Sequence, residues 1–284
     1  MPHQDHNNQK ERKVIMATNI EFASPDENNN NETTTPWATP KAGNYEDLVL
    51  KPEYAARRLK FQVGQTWMRI VPALKTSVHG WMMPIHSLDY EGGRFAHPKT
   101  HRRNAKSVFD HAYIWTKQNH PEGLYSKANK AGIRLLSDPM CLFWAIVVED
   151  GKKPLARLFL GSGYDASRGG VPGLGFQVYK MSREHDENGN LVTDAVHPKN
   201  GVLVCVEKTK SQSAKYPNYK LRLGRQTTPV DSLLEKMDPE EVAALCPLEN
   251  VVRELSSEEE WGCLAKVMAP ETVALIRASL KTAV

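Results

Sequence analysis

The feature that most constrains the fold of this chain is a series of short apolar runs, each bounded by glycine, proline or polar residues, that begins near Lys60. Short runs rich in Val, Ile, Phe, Trp and Tyr between such breakers are typical of β-strands. The runs are LKFQV, TWMRIVP, HGWMMPIHSL, CLFWAIVVED, PLARLFLGSG, GFQVYKMSRE, GVLVCVEKTK and NYKLRLG. The pattern predicts a small all-β unit.

A different pattern interrupts the strands between Glu91 and Asp138. This segment is polar and basic, and AKSVFDHAYIWTKQN within it has the composition of a helix that ends before Pro121. The sequence therefore predicts a helical insertion at about 87–138 within a β core that spans 51–228.

The last part of the chain, 229–284, has the apolar spacing of helices rather than strands. PVDSLLEKMDPEEVAALCPLENVVREL and SSEEEWGCLAKVMAPETVALIRASL place apolar residues three or four apart. Ser256 and Glu259 stand in capping-box relation. We expect two to four short helices that are largely acidic on their outer faces.

Residues 1–50 contain ENNNNETTTPWATP and few aliphatic residues, so they cannot bury enough apolar surface to offset their ordering entropy. We expect a disordered N-terminal arm, in which the basic cluster QKERK is either a solvated tail or a contact with nucleic acid or a neighbouring subunit. The N-terminus lacks the apolar middle of a signal peptide, and no run reaches the roughly 18 apolar residues of a membrane helix. We expect a cytoplasmic protein with no membrane contact, and four reduced cysteines because no C-x-x-C pair occurs.

The charge of the chain is distributed unevenly. The net charge is +4, but residues 51–230 sum to +14, whereas residues 1–50 and 231–263 sum to −4 and −8. A basic middle between acidic ends is typical of proteins that bind a polyanion, although many basic domains bind none.

Sequence patterns of catalysis are weak in this chain. The segment GSGYDASRGGVPGLG is rich in glycine, but it fits neither a P-loop nor a dinucleotide fingerprint, so we interpret it as a flexible connection between strands. The acids of the basic region are scattered or lie in turns such as EHDENGN, where Asn188-Gly189 predicts a hairpin. No carboxylate pair for metal-dependent nucleic-acid cleavage stands out.

The histidines of the insertion are the remaining candidates for metal ligands. His97 and His101 are four residues apart, but Pro98 lies between them and no cysteine or carboxylate completes an obvious tetrahedral set. We therefore expect surface or base-contacting histidines, no metal, no cofactor and no enzyme activity.

The chemistry that remains is binding. Proteins hold single-stranded nucleic acid with cations on the phosphates and aromatic faces on the bases, each stacked base contributing about 1–3 kcal/mol. Trp67 and Trp144 are expected in the core, because alternate strand positions face inward. Elsewhere cations stand beside aromatic residues repeatedly, and the candidate nucleic-acid-binding residues are Arg69, Trp81, Tyr90, Arg94, Arg102, Arg103, Tyr113, Trp115, Arg157, Phe159, Lys208, Lys210, Lys215, Tyr216, Tyr219, Lys220 and Arg222.

The order of these pieces resembles the single-stranded DNA-binding, or helix-destabilising, proteins of T-even phages. MRIVP resembles the first core strand of that family, and SVFDHAYIWTKQNHPEGLYS followed by FWAIVVED resembles its insertion and the strand after it. GVLVCVEKTKSQSAKYPNYKLRL resembles the last core strand and its aromatic arm, so Tyr216 and Tyr219 match the two stacking positions. The resemblance covers roughly 60–225 and implies an OB-like barrel that binds single-stranded DNA.

The chain also departs from that family. The cysteine zinc ligands of the family's insertion are absent, so the resemblance implies no structural zinc. The family's basic run before the tryptophan strand is SDPMC here, which leaves that contact unsupported. The family's acidic tail, which recruits replication partners and competes with DNA, has a counterpart only in the helical stretch 231–263.

Together these observations predict a mainly β protein, an OB-like barrel with a helical insertion and C-terminal helices, that binds single-stranded DNA without sequence specificity. We expect it to act in replication, recombination or repair, with replication or recombination proteins at the acidic C-terminal region and with cooperative self-association as further partners. Two alternatives stay open: a recombination mediator or strand-annealing protein, and a structural or scaffold protein of a virion.

Overall fold

Six of the eight short apolar runs become strands of one large sheet in the computed structural model. The structure describes residues 45–90, 93–126, 128–129, 132–165, 172–185, 187–188, 191–210 and 218–282. All of these residues belong to one compact unit, Thr35–Val284. The described strands are β1 (Glu46–Leu48), β2 (Gly64–Ile70), β3 (Met83–Tyr90), β4 (Gly93–Ala96), β5 (Asp138–Val148), β6 (Leu155–Ser162), β7 (Arg183–His185), β8 (Leu191–Asp194), β9 (Val202–Thr209) and β10 (Asn218–Thr227).

Helices lie between and after the strands. The described α-helices are α1 (Pro52–Ala55), α2 (Val108–Asn119), α3 (Leu174–Ser182), α4 (Val230–Leu234), α5 (Pro239–Ala243), α6 (Ser257–Leu264) and α7 (Pro270–Thr282). Short 3-10 turns cover Pro98–Thr100, Pro121–Gly123 and Leu248–Asn250. None of the helices in the described ranges combines the length and apolar character that a membrane-spanning helix needs.

The sheet has the strand order β1-β4-β3-β5-β2-β9-β10, and β6 pairs with β5. The β1–β4 pair is parallel and the other pairs of this sheet are antiparallel. Residues 140–142 of β5 lie between β3 and β6, whereas residues 145–147 lie between β2 and β6. The long β5 strand therefore joins two halves of the sheet.

The sheet is open, because no pairing among the described strands joins β10 to β6 or to β1. The prediction of a mainly β fold is confirmed. The closed OB-like barrel is not confirmed.

One face of strands β2, β5, β6, β9 and β10 packs against α3. Val204 and Val206 of β9 and Phe143 of β5 are fully buried there, together with Val178 of α3. We call this group the α3-side core. Burying an aliphatic or aromatic side chain contributes roughly 1.5–3 kcal/mol, so this core fixes which face of each strand points inward.

The opposite face of β5 and β6 packs against the C-terminal helices. Trp144 of β5 is 2% exposed and its Nε1 donates a hydrogen bond to the carbonyl of Cys246 at 2.8 Å. Leu233 and Val251 are buried in the same cluster. The acidic C-terminal region is thus part of the folded core and not a separate tail.

The insertion is also tied to the C-terminal helices. Phe109 of α2 shares a core cluster with Trp261 of α6 and Ile276 of α7. Glu260 of α6 is 3% exposed and accepts hydrogen bonds from the Ser107 hydroxyl at 2.5 Å and from the Val108 amide at 2.9 Å. These bonds satisfy the first turn of α2 from a neighbouring helix.

Several local predictions are confirmed. Helix α2 ends before Pro121, as the sequence predicts, and the structure shows that it begins after a capping box at Ser107. Ser256 and Glu259 form the predicted capping box of α6. Strands β7 and β8 form the hairpin that the Asn188-Gly189 pair predicts. Residues 229–284 contain four α-helices in the described part, within the expected range.

The run GFQVYK was predicted to be a strand, and this is wrong: it lies in α3. Gly175, Val178 and Ser182 are its buried residues, and their spacing is helical. A Cβ on Gly175 would lie 2.8 Å from the carbonyl oxygens of Gly161 and Ser162. Gly175, in the first turn of the helix, therefore allows α3 to pack closely on β6, which the short-range alternation of side chains does not reveal.

Two other boundaries differ from the sequence prediction. The run LKFQV is not a strand but extends beside β6, where the Leu59 amide donates to the Leu158 carbonyl at 2.8 Å. Residues 46–48 form β1, and Val49 and Leu50 are buried in the core, because this end of the predicted arm is apolar. The rest of the predicted arm, 1–44, lies outside the described residues.

Candidate nucleic-acid interface

The acidic C-terminal helices neutralise part of the basic surface. Glu241 of α5 pairs with Arg57 at 2.9 Å and with Arg157 at 3.1 Å. Arg102 pairs with Glu254 at 2.7 Å. Two predicted phosphate contacts, Arg157 and Arg102, are therefore already bound to carboxylates, and a phosphate would have to displace these acids.

Arg69 was predicted to contact nucleic acid, but the structure places it in the interior. Its side chain is fully buried, and its guanidinium donates hydrogen bonds to the carbonyls of Thr228 (2.8 Å), Ile70 (2.9 Å), Ala195 and His197. Burial lowers the pKa of Arg69 to about 10, so the group stays charged at neutral pH. We assign it a structural role, because it ties β2 to the segments before β9 and after β10.

Three further candidates are also held inside the fold. Phe159 is 1% exposed and stacks on Phe143 with ring centroids 4.4 Å apart, and Tyr90 is 5% exposed. Arg94 pairs with Asp47 at 2.5 Å. Burial by itself would raise the pKa of Asp47, but the hydrogen bond and the charge of Arg94 outweigh it and lower the pKa. These side chains complete the core and its edge and are not open to a ligand.

The candidates of the insertion lie apart from strand β10. Tyr113 and Trp115 are half-buried on α2 against the cluster that α2 shares with α6 and α7. Arg103 is exposed and lines a cleft between the start of β3 and the Pro98–Thr100 turn. The insertion therefore does not converge with β10 on a single groove.

The cations on and next to strands β9 and β10 are not paired with carboxylates in the described part of the chain. Lys210, Lys220 and Arg222 are exposed, and Lys208 is half-buried. Within the described part of the chain, none of these four makes an ion pair. The tip of the predicted arm, 211–217 with Lys215 and Tyr216, lies outside the described residues.

Strand alternation divides the described part of the arm between two faces. Tyr219 pairs with Lys208 on the α3-side face, whereas Lys220 and Arg222 point to the other face. Arg222 lies over the Trp67 ring, 5.4 Å from its centroid. A strand of nucleic acid on the α3-side face would therefore contact Tyr219 and Lys208. Lys220 and Arg222 lie on the opposite face and would not contact that strand.

On the α3-side face the structure forms an open cleft of about 670 Å³ between α3, β7 and β10. Its cations are Lys180 and Arg183, both exposed, with His185 beside them. Asp165 is the acidic residue among its described lining residues. Leu221 of β10 lies on its wall, two residues after Tyr219 on the same face.

Aromatic rings continue from this cleft along α3. Phe176 lines the cleft, and its ring centroid is 6.5 Å from that of Tyr179. Tyr179 stacks on Trp81 at 6.0 Å with an interplanar angle of 17°, and Trp81 contacts Phe143 of the core at 5.6 Å. Tyr179 is 39% exposed. Trp81, one of the aromatic residues predicted to contact nucleic acid, therefore lies beside the row of exposed rings on α3.

The sequence reasoning missed most of this cleft because it treated α3 as a strand. As a helix, the segment places Phe176 and Tyr179 at a spacing of three residues, which puts the two rings side by side. Arg183 follows directly after the helix, at the start of β7. The glycine-rich sequence before this segment could have indicated the helix, because glycines often mark close packing of a helix on a strand.

Comparison of the chain with protein-family models and with curated proteins found no match. Among the described residues, no three His, Cys, Asp or Glu side chains come together as a group that could hold a metal ion.

Proposed function

We propose that this protein binds single-stranded DNA without sequence specificity, along the cleft between α3, β7 and β10. The observation that carries the proposal is that Lys180 and Arg183 line the cleft together with Phe176, whose row of rings continues to the exposed Tyr179. Cations attract phosphates, and an exposed aromatic ring offers a face to any base. The cleft thus contains both kinds of contact that a single strand needs, and the proposed action is binding with no bond chemistry.

A single strand suits these contacts better than a duplex does. The bases of a single strand can leave their neighbours and stack on a side chain, whereas the bases of a duplex are already stacked and paired. The three rings Phe176, Tyr179 and Trp81 follow one another at 6.5 and 6.0 Å. We propose that a base stacks on Tyr179 while the neighbouring phosphates lie near Lys180 and Arg183.

We also propose that the sheet is OB-like. Phe61 contacts Phe159 of β6 at 5.9 Å and Tyr219 of β10 at 6.0 Å. The Phe61 ring therefore contacts both β6 and β10, the outer strands of the β6-β5-β2-β9-β10 part of the sheet. In a closed barrel the two outer strands of a sheet lie next to each other in the same way. Side chains make this contact between β6 and β10, because the two strands share no backbone ladder in the described residues.

The proposed biological setting is DNA replication, recombination or repair in the cytoplasm. Because α4–α6 pack in the core, they are not a mobile competitor of DNA, and partner proteins would meet only their exposed outer faces, at residues such as Glu240 and Glu258. Cooperative self-association along the strand belongs to the same proposal.

Fluorescence anisotropy with labelled oligo-dT tests the proposal. Lys180→Met with Arg183→Met should weaken binding and make the log-log salt slope shallower by about 0.7 for each lost phosphate contact. Lys117→Met with Lys236→Met is the matched control, because both lysines are exposed and lie on other helices or turns. Equal loss in both double variants would contradict a specific role for the cleft.

Substitutions of Tyr179 separate stacking from charge. Tyr179→Leu should weaken binding by about 1–3 kcal/mol with little change in salt slope, and Tyr179→Phe should keep most of the affinity because it keeps the ring. Tighter binding to duplex than to oligo-dT would refute the proposal. Rings or filaments in electron micrographs with DNA would favour the strand-annealing alternative, and assembly without DNA would favour the scaffold alternative.

A further inference from the structure

A second cleft, which shares no lining residue with the first, gathers basic side chains around the start of β3. Its volume is about 340 Å³. We call it the histidine cleft. Its lining residues are His79, Pro84, His86, Lys99, Thr100, His101 and Arg103.

Backbone hydrogen bonds hold the two sides of the histidine cleft together. The His97 amide donates to the His86 carbonyl at 2.7 Å, and the His86 amide donates to the Thr100 hydroxyl at 3.0 Å. The Lys99 amide donates to Nδ1 of His97 at 3.0 Å, which caps the Pro98–Thr100 turn. This clamp holds Lys99 and His101 beside His86, so the cluster is part of the fold.

The lining contains no acid, and the acids nearest to it are engaged elsewhere. Glu249 accepts hydrogen bonds from the Val78 amide at 3.0 Å and the Ser77 hydroxyl at 3.3 Å. Glu254 pairs with Arg102. Within the described part of the chain, Lys99 and Arg103 form no ion pair. Nε2 of His101 is buried and has no hydrogen-bond partner there. The described lining of the cleft is therefore basic and contains no carboxylate that would repel an anion.

The surroundings of His86 and His101 lower the pKa values of these two side chains. Burial lowers the pKa of His86, and the charges of Lys99 and His97 lower it further. Burial also lowers the pKa of His101, where Glu254 and a backbone contact with Arg253 oppose it and Arg102 and His79 add to it. The lowered pKa values mean that His86 and His101 gain their charges only below the ordinary histidine pKa of about 6.5.

We infer that the histidine cleft binds a phosphate group through Lys99, Arg103, His86 and His101, and that it binds more tightly as the pH falls below about 6.5. A tetrahedral oxyanion accepts hydrogen bonds from several directions, as these converging donors require. The phosphate can be a free ion or a phosphodiester of a nucleic-acid strand, and the two sources can be separated. The inference does not depend on the proposed DNA-binding cleft.

Sulfate is the probe for the first experiment, because it keeps its charge between pH 5.5 and 7.5 whereas orthophosphate does not. Titration of the full chain with sulfate, followed by NMR of the histidine ring protons, should shift the signals of His86 and His101. Binding should be at least about tenfold tighter at pH 5.5 than at pH 7.5. Unshifted signals, or equal affinity at the two pH values, would overturn the inference.

Variants identify the donors and the source of the phosphate. Lys99→Met with Arg103→Met should weaken sulfate binding about tenfold or more, because each loses a charge-assisted contact, while Lys117→Met should not. Unchanged sulfate affinity in the double variant would overturn the assignment. If the double variant also loses affinity for oligo-dT, the phosphate belongs to a nucleic-acid strand. If only sulfate and orthophosphate binding change, the ligand is a free phosphate, and both results support the site.

Discussion

Replacing Arg69 by Met should destabilise the protein and leave its DNA affinity intact. The guanidinium donates to the four carbonyls of Ile70, Ala195, His197 and Thr228. Breaking a buried charged network of this kind costs about 3–5 kcal/mol, because buried carbonyl acceptors lose a charged donor. In a domain of this size such a loss lowers the melting temperature by about 6–20 °C.

The assay measures stability and affinity on the same sample. Thermal or urea unfolding gives the loss of stability, and oligo-dT titration well below the melting temperature gives the affinity of the folded fraction. Arg69→Lys should fall between wild type and Arg69→Met, because lysine keeps the charge but lacks the planar fork of donors. An Arg69→Met protein with an unchanged melting temperature and weakened DNA binding would refute the structural role and restore Arg69 to the interface.

Three further predictions concern the packing of the chain. A chain truncated after Thr228 should fail to fold, because it loses six buried side chains of residues 230–252. Their burial contributes about 9–18 kcal/mol, against a typical total stability of 5–15 kcal/mol. A cooperative melt of the truncated chain with tighter DNA binding would instead indicate that the acidic stretch 231–263 competes with DNA. Glu260→Ala should cost about 1–3 kcal/mol in urea unfolding because it leaves the Ser107 hydroxyl and Val108 amide unpaired, whereas Glu260→Gln keeps an acceptor and should cost less. Gly201→Ala should lower the melting temperature as Arg69→Met does, since an added Cβ would overlap the Arg69 guanidinium and lie 2.6 Å from the Ala195 carbonyl oxygen; a normal melt would contradict this.

Much of the local structure could be predicted because its signals are short-range. Proline and capping boxes set the limits of α2 and α6, and runs of β-branched and aromatic residues indicated β2, β5, β6, β9 and β10. The failure at GFQVYK has the same origin. Alternating apolar residues in a short window suit both a strand and a helix, and the choice was made by close packing against β6 through Gly175.

The candidate site depended on contacts that the sequence does not display. Arg69, Arg157 and Lys208 have similar local surroundings of alternating apolar residues. One is bonded to buried carbonyls, one pairs with Glu241, and one lies half-exposed near the hairpin end of β9. The Thr228 carbonyl lies 159 residues from Arg69, and the Glu241 carboxylate lies 84 residues from Arg157. Nζ of Lys208 donates to the Phe61 carbonyl, 147 residues away. Which cations are structural and which remain available to a ligand therefore depends on long-range contacts in the tertiary structure.

The sequence by itself determined that this chain has a β core, a capped helix in its insertion, helices at its C-terminus and an excess of positive charge between two acidic segments. These properties follow from composition and from neighbours within a few residues. The tertiary structure decided which face of each strand is buried, that the acidic helices pack into the core, and that Lys180, Arg183 and Phe176 share one cleft. The physical reason is that burial and ion pairing depend on strand register and helix packing, which bring together residues far apart in the chain.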